Sequence, residues 1–189
     1  MTLLEMKKKV LQLIEEVSTK ENKLTDDPDI EAKLNTVINQ TMYEVARMKK
    51  IPAYKEIKVD TSVKEVYDFD DIQGTDKNKI YQLDVIRGIE YETKANGTII
   101  KCLEDGTMEV NYFKYPITIT NETKEDEYVF ELSDDALEII PYGVAGDLLK
   151  SDASNQYGQI YSQRYETMLQ RLDSRYNMGS IYIEDGIEW

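Results

Sequence analysis

The sequence contains no histidine and only one cysteine, Cys102. Without histidine there is no imidazole base, no Ser-His triad and no Cys-His dyad, and the usual zinc ligand sets cannot be assembled. A lone cysteine rules out an intramolecular disulfide, so nothing here calls for an oxidising compartment. The nine glycines are scattered, and none stands in a GxGxxG or GxxxxGK phosphate loop. No apolar run approaches the roughly 18 residues of a membrane span. The start, Met1-Thr2-Leu3-Leu4-Glu5, lacks a charged segment followed by an apolar core, so neither insertion nor export is expected. Three glycosylation-type triplets, beginning at Asn39, Asn96 and Asn121, carry no weight in an unexported chain. Bases are also scarce: 23 Lys and Arg face 37 Asp and Glu, a net charge of -14. Phosphate binding relies on clustered cations, so this balance argues against a nucleic-acid-binding surface.

The 189 residues suit one domain with an embellishment, large enough to bury roughly 70% of its unfolded surface. Thr2 and Glu5 have capping-box spacing, and Leu3, Met6, Val10, Leu13, Ile14 and Val17 continue at helical steps, predicting a first helix to about Thr19. Asp27-Pro28 starts a second, with a stripe of Ile30, Leu34, Val37, Ile38, Met42 and Val45, and Ile51-Pro52 closes it. The two are expected to form a helical hairpin. From Tyr54 to Glu131 the period shifts towards two, with turn dipeptides at Asn96-Gly97 and Asp105-Gly106. This predicts a β meander with strands at 54–59, 64–68, 80–86, 88–94, 98–103, 107–113 and 128–131. Met108, Val110 and Tyr112 would share one face of the sixth.

Ser133 with Asp134 and Asp135 has the character of a third helix start, and Pro141 should kink or restart that helix. Leu137, Ile140, Val144, Leu148 and Leu149 give its apolar face. A fourth helix begins between Asp152 and Asn155 and carries Tyr157, Ile160, Tyr161, Tyr165, Met168, Leu169 and Leu172 towards Tyr176. A short strand, 180–184, and Trp189 follow. The expected class is α+β, divided into a helical hairpin (1–53), a β insertion (54–131), helices completing a four-helix core (132–176) and an extended C-terminal arm (177–189).

What chemistry remains rests on carboxylates. Asp68, Asp70 and Asp71 are the densest group, but they lack the ordered spacing of a calcium loop, and a turn with capping aspartates is the simpler assignment. A calcium-binding or carboxylate-based hydrolytic module there is the alternative. Neither a cofactor nor a metal is expected, and no catalytic residue is assigned. The stretch Asn121 to Glu138 holds eight acids and one lysine. Arg164, Arg171 and Arg175 form a basic edge on an otherwise acidic chain, suited to meet an acidic segment of a neighbouring subunit and to fix register.

The run Val110-Asn111-Tyr112-Phe113-Lys114-Tyr115-Pro116 through Ile119-Thr120, with the acidic Thr123 to Tyr128 segment, resembles the tract before the last helices of phage head–tail connector, or adaptor, proteins. Leu132-Ser133-Asp134-Asp135-Ala136, Ile140-Pro141-Tyr142-Gly143-Val144-Ala145 and Leu148-Leu149-Lys150-Ser151-Asp152 are similar to their third helix. Tyr157-Gly158-Gln159-Ile160-Tyr161 and Arg164 through Leu172 resemble the fourth. Tyr67-Asp68-Phe69-Asp70-Asp71 looks like their Tyr-Asp-Leu-Pro-Asp-Asp turn, without its proline and with Ile72 in the place of an aromatic. The resemblance covers about residues 65 to 176, and the long β insertion and C-terminal arm depart from the shortest members.

The resemblance implies a four-helix adaptor core and a subunit of a homo-oligomeric ring, typically twelvefold, in the virion neck after assembly in the host cytoplasm. Its implied partners are the portal protein above and a tail or stopper protein below, with DNA passing through unbound. An acidic lumen would repel phosphates, and the expected channel or interface acids are Glu125, Asp126, Glu127 and Glu131. Ile181, Tyr182, Ile183 and Trp189 are the expected portal-docking residues, by strand addition and an aromatic anchor. Another neck or tail-completion protein is the alternative within the virion.

Overall fold

The computed structural model describes residues 1–20, 23–150 and 156–172. It is a mixed α+β fold in which a helical core and a β module share one chain. Helix α1 (Leu3–Leu13) starts from the predicted capping box: Thr2 Oγ1 accepts from the Glu5 N–H, and Glu5 Oε2 accepts from the Thr2 N–H. The helix ends earlier than expected. Ile14 is its C-cap and Glu15 turns left-handed at φ 60°, after which the Ser18 N–H bonds the Leu24 carbonyl and folds the chain back. Val17, assigned to the stripe, is therefore 49% exposed, whereas Leu11 is fully buried.

Helix α2 (Pro28–Lys49) is capped by Asp27, whose Oδ1 accepts from the Asp29 and Ile30 N–H groups. It ends at Lys50, φ 58°, and strand β1 (Ile51–Val59) follows at once. Ile51-Pro52 thus opens a strand, three residues before the expected start, because the left-handed Lys50 redirects the chain within one residue.

The remaining strands are β2 (Val66–Asp68), β3 (Ile80–Arg87), β4 (Tyr91–Lys94), β5 (Ile99–Cys102) and β6 (Gly106–Lys114), with a short helix α3 (Phe69–Gln73) after β2. They do not form a meander. One antiparallel sheet has the order β1-β6-β3 and the other β2-β5-β4. The β4–β5 hairpin is the predicted one: Ala95, Asn96 and Gly97, all at positive φ, make its turn. Asp105-Gly106 instead carries the chain from one sheet to the other. Asp105 Oδ1 accepts from the Thr61 N–H and hydroxyl at 2.7 and 2.6 Å, tying the turn to the end of β1, nine residues of which pair with β6. Periodicity of two reports which face is buried but not which strand is the neighbour. The shared face of β6 is as expected: Met108, Val110 and Tyr112 are buried, together with Val59, Tyr67, Ile72, Ile100 and Cys102, in the core between the sheets.

After β6 the chain crosses back over the helices as a strap, residues 115–132, with turns over 121–127. The strand expected at 128–131 is replaced by a single bridge, Val129 to Thr2. Ile119, Tyr128, Phe130 and Leu132 are buried in the helical core, although sequence assigns all but Leu132 to the β insertion. Asn39 holds the strap by a reciprocal pair of 2.8 Å bonds with the backbone of Ile119.

Helix α4 (Asp134–Leu137) is one turn long, and α5 (Ile140–Leu149) restarts with Pro141 in its first turn, as predicted. Ser133 occupies the α4 N-cap without a side-chain cap bond. Ile140, Pro141, Gly143, Val144, Ala145 and Gly146 are all buried, and Asp147 is the one residue of this mostly apolar helix that is exposed. The helix is the hub: α1 and α2 both pack on α5 rather than chiefly on each other, and α6 (Gln156–Gln170) packs along it. The expected start of this last helix, 152–155, lies outside the described residues. It ends at Gln170, short of the expected Tyr176, in tight turns closed by Arg171 and Leu172 N–H groups. Tyr165 and Leu172 are buried, but Tyr157 and Ile160, apolar residues of the same helix, are 61% and 52% exposed.

Candidate functional site

Two surfaces of opposite charge stand out, both attached to the helical core. The first is the acidic strap. Its tether is Lys7 of α1, whose side chain is 8% exposed and whose Nζ donates to Glu125 Oε1 at 2.6 Å, while the Leu4 N–H donates to the Glu125 carbonyl. Glu131 accepts from Lys114 Nζ (2.6 Å), from Asn78 Nδ2 (2.6 Å) and from the Ile117 N–H (3.1 Å), which locks the strap to the end of β6. Asp135 accepts from Lys49 at 2.6 Å, and that bond holds its carboxyl below the ordinary range. Of the four expected channel or interface acids, Glu125 and Glu131 are thus occupied in holding the strap, and Glu127 pairs with Lys124 three residues away. Glu122 and Asp126 are exposed and make no ion pair with a described residue, and Val129 of the same strap is 79% exposed.

The second surface is the outer face of α6. Ile160, Gln163, Arg164, Thr167, Met168 and Arg171 line an open groove of about 530 Å³. Its inner face fixes the helix: the Tyr161 hydroxyl donates to the Leu13 carbonyl at 2.8 Å, and the Tyr165 hydroxyl to Glu44 Oε2 at 2.7 Å. Burial first, and the Glu44 bond second, push the Tyr165 phenol well above its usual pKa. The Arg164 guanidinium lies 4.2 Å from the Tyr142 ring centroid, a contact that orients it without neutralising it. Neither Arg164 nor Arg171 pairs with a carboxylate among the described residues. Arg175, Ile181, Tyr182, Ile183 and Trp189 lie outside the described residues.

The Asp68 to Asp71 cluster is a capping turn. Asp68 Oδ1 accepts from the Asp71 N–H (2.9 Å) and Asp71 Oδ2 from the Asp68 N–H (3.0 Å), a capping box that starts α3. Lys64 also bonds Asp71 and holds its carboxyl low. No cluster of three potential metal ligands occurs among the described residues. A cleft of about 290 Å³ in the β module is lined by Phe69, Tyr81, Asp84, Tyr91 and Asn96 among others.

An aromatic joint between helices and sheet is absent from the sequence-level expectations. The Tyr115 ring lies 4.8 Å from Tyr43 and 4.7 Å from Tyr81, and Arg47 Nε donates to its hydroxyl at 2.6 Å. The Tyr81 hydroxyl donates to the Ala46 carbonyl, and burial pushes its pKa up to about 12. Three tyrosines spaced 43, 81 and 115 give no local periodic signal. Only the pairing of β3 with β6 brings the last two together.

No helix among the described residues is long and apolar enough to cross a membrane. No protein-family model matches the chain, and no curated protein matches it.

Proposed function

We propose that this protein is a structural, non-catalytic subunit of the head–tail connector of a tailed bacteriophage, forming a ring under the portal that joins capsid to tail and surrounds the DNA channel. The observation that carries the reading is the packing of α5. The two stretches that resemble the connector proteins' last helices, 132–149 and 157–172, fold back on each other, and α5 is buried between α6 and the two N-terminal helices. That arrangement supports a four-helix adaptor core, with the β module as an excursion between α2 and α4. The charge supports it as well. A net charge of -14 with no histidine keeps the subunit anionic at neutral pH, so DNA phosphates pass without sticking.

The test is genetic and structural. Removing the gene is expected to yield DNA-filled heads and separate tails that do not join, and the protein should be recovered from wild-type virions at about portal stoichiometry. Infectious, fully tailed particles without the protein would overturn the reading.

A further inference from the structure

We propose that copies of this chain associate head to tail, the strap carrying Glu122, Asp126 and Val129 of one copy seating in the groove lined by Ile160, Arg164, Met168 and Arg171 on α6 of the next. The inference rests on the ring-forming part of the connector reading and names its contact. The two surfaces are complementary in charge and in kind: the strap offers two exposed carboxylates and a 79% exposed valine, and the groove offers two arginines and a 52% exposed isoleucine. Neither arginine has a carboxylate partner among the described residues, so both guanidinium charges are open to a second copy. A surface built this way fixes partner and register.

The strap of the same copy cannot serve as occupant at low cost. It is held at the first turn of α1 by the Lys7–Glu125 pair, by the Leu4–Glu125 backbone bond and by the Val129–Thr2 bridge, and all of these would have to break. α6 is anchored at the other end of α1, through Tyr161 and the Leu13 carbonyl. A second copy meets both surfaces as they stand. Because the two patches differ, the contact is heterologous, and repeated contacts of that kind close into a ring when the rotation per copy allows it.

The test is sedimentation of the full-length protein in low salt (about 50 mM) and in high salt (about 0.5 M), where exposed charge pairs are screened. R164E/R171E and E122K/D126K are measured alone and as an equimolar mixture, with circular dichroism to establish that each is folded. Wild-type protein is expected to associate in low salt and to dissociate in high salt. Each variant alone should associate at least about tenfold more weakly. The mixture should associate again, because each acidic surface then faces a basic one at every contact. A monomeric wild type at about 0.3 mM in low salt, variants that associate like the wild type, or a mixture that stays dissociated would each overturn the proposal. So would loss of association on deleting 173–189, which would make that segment the occupant. Each of these failures leaves portal binding, and with it the connector reading, to be judged separately.

Discussion

Gly146 of α5 faces α6 so closely that helix propensity and packing predict opposite outcomes for the same substitution. A Cβ built on Gly146 would lie 2.6 Å from Ser162 Oγ, 3.0 Å from the Ser162 backbone nitrogen and 3.3 Å from its Cα. The hydroxyl can rotate away, but the backbone cannot. Bringing the nitrogen to an ordinary contact of 3.4 Å requires the helices to part by about 0.4 Å, enough to weaken dispersion along the whole α5–α6 seam. Overpacking of this kind costs about 2 kcal/mol, whereas replacing a mid-helix glycine by alanine gains about 1 kcal/mol in propensity. Gly146→Ala is therefore expected to destabilise the fold by about 1 kcal/mol, a fall in Tm of about 2–4 °C for a chain of this size. Thermal unfolding followed by circular dichroism measures it. A rise of the same size would show that α6 yields freely and that the close crossing is not a constraint.

Three further predictions follow from the polar contacts. Glu125→Ala strands a nearly buried ammonium and should cost about 2 kcal/mol, below the figure for a fully buried pair because Glu125 is one-third exposed, whereas Lys7→Met should cost less than about 1 kcal/mol; chemical denaturation giving the reverse order would refute the strap's tether. Asp71, Asp105 and Asp135 are held below their unfolded value of 3.8 by bonds from Lys64, Thr61 and Lys49 respectively. Their contribution is complete above that value and is lost as pH falls through the lower folded values; with no histidine, Tm should be flat from about pH 6 to 8 and drop only below about pH 4, and a slope of several degrees across the neutral range would contradict this. Asp68→Ala removes one half of the α3 capping box and should cost about 1 kcal/mol, while millimolar calcium raises the Tm of neither form; calcium stabilisation of the wild type alone would reinstate a metal site.

Local signals in the sequence placed most element starts. Thr2 with Glu5, Asp27 with Pro28, and Pro141 act within one helical turn, and each stands where expected. The end of α1 was harder, because a left-handed glutamate stops it where no glycine marks the turn, whereas α2 ends at Lys49, where Ile51-Pro52 placed its close. Sheet order was not legible, since Met108, Val110 and Tyr112 disclose a buried face without naming β1 and β3 as its neighbours. The basic edge of α6 was visible as Arg164 and Arg171 at a seven-residue step. Which apolar residues of α6 turn outward was not legible, because Tyr157, Ile160 and Tyr161 all satisfy helical spacing and only the position of α5 selects among them. Which acids remain open, Glu122 and Asp126 rather than Glu125 and Glu131, depends on Lys7 and Lys114, remote in sequence from the strap.

The connector assignment is tested most directly by cosedimentation with portal particles from the same genome, comparing the full-length protein with a 179–189 deletion. The account predicts stoichiometric binding of the full-length chain, lost on removal of Ile181, Tyr182, Ile183 and Trp189 with the rest of that arm. Absence of binding to intact portal particles would contradict it and point to a component on the tail side.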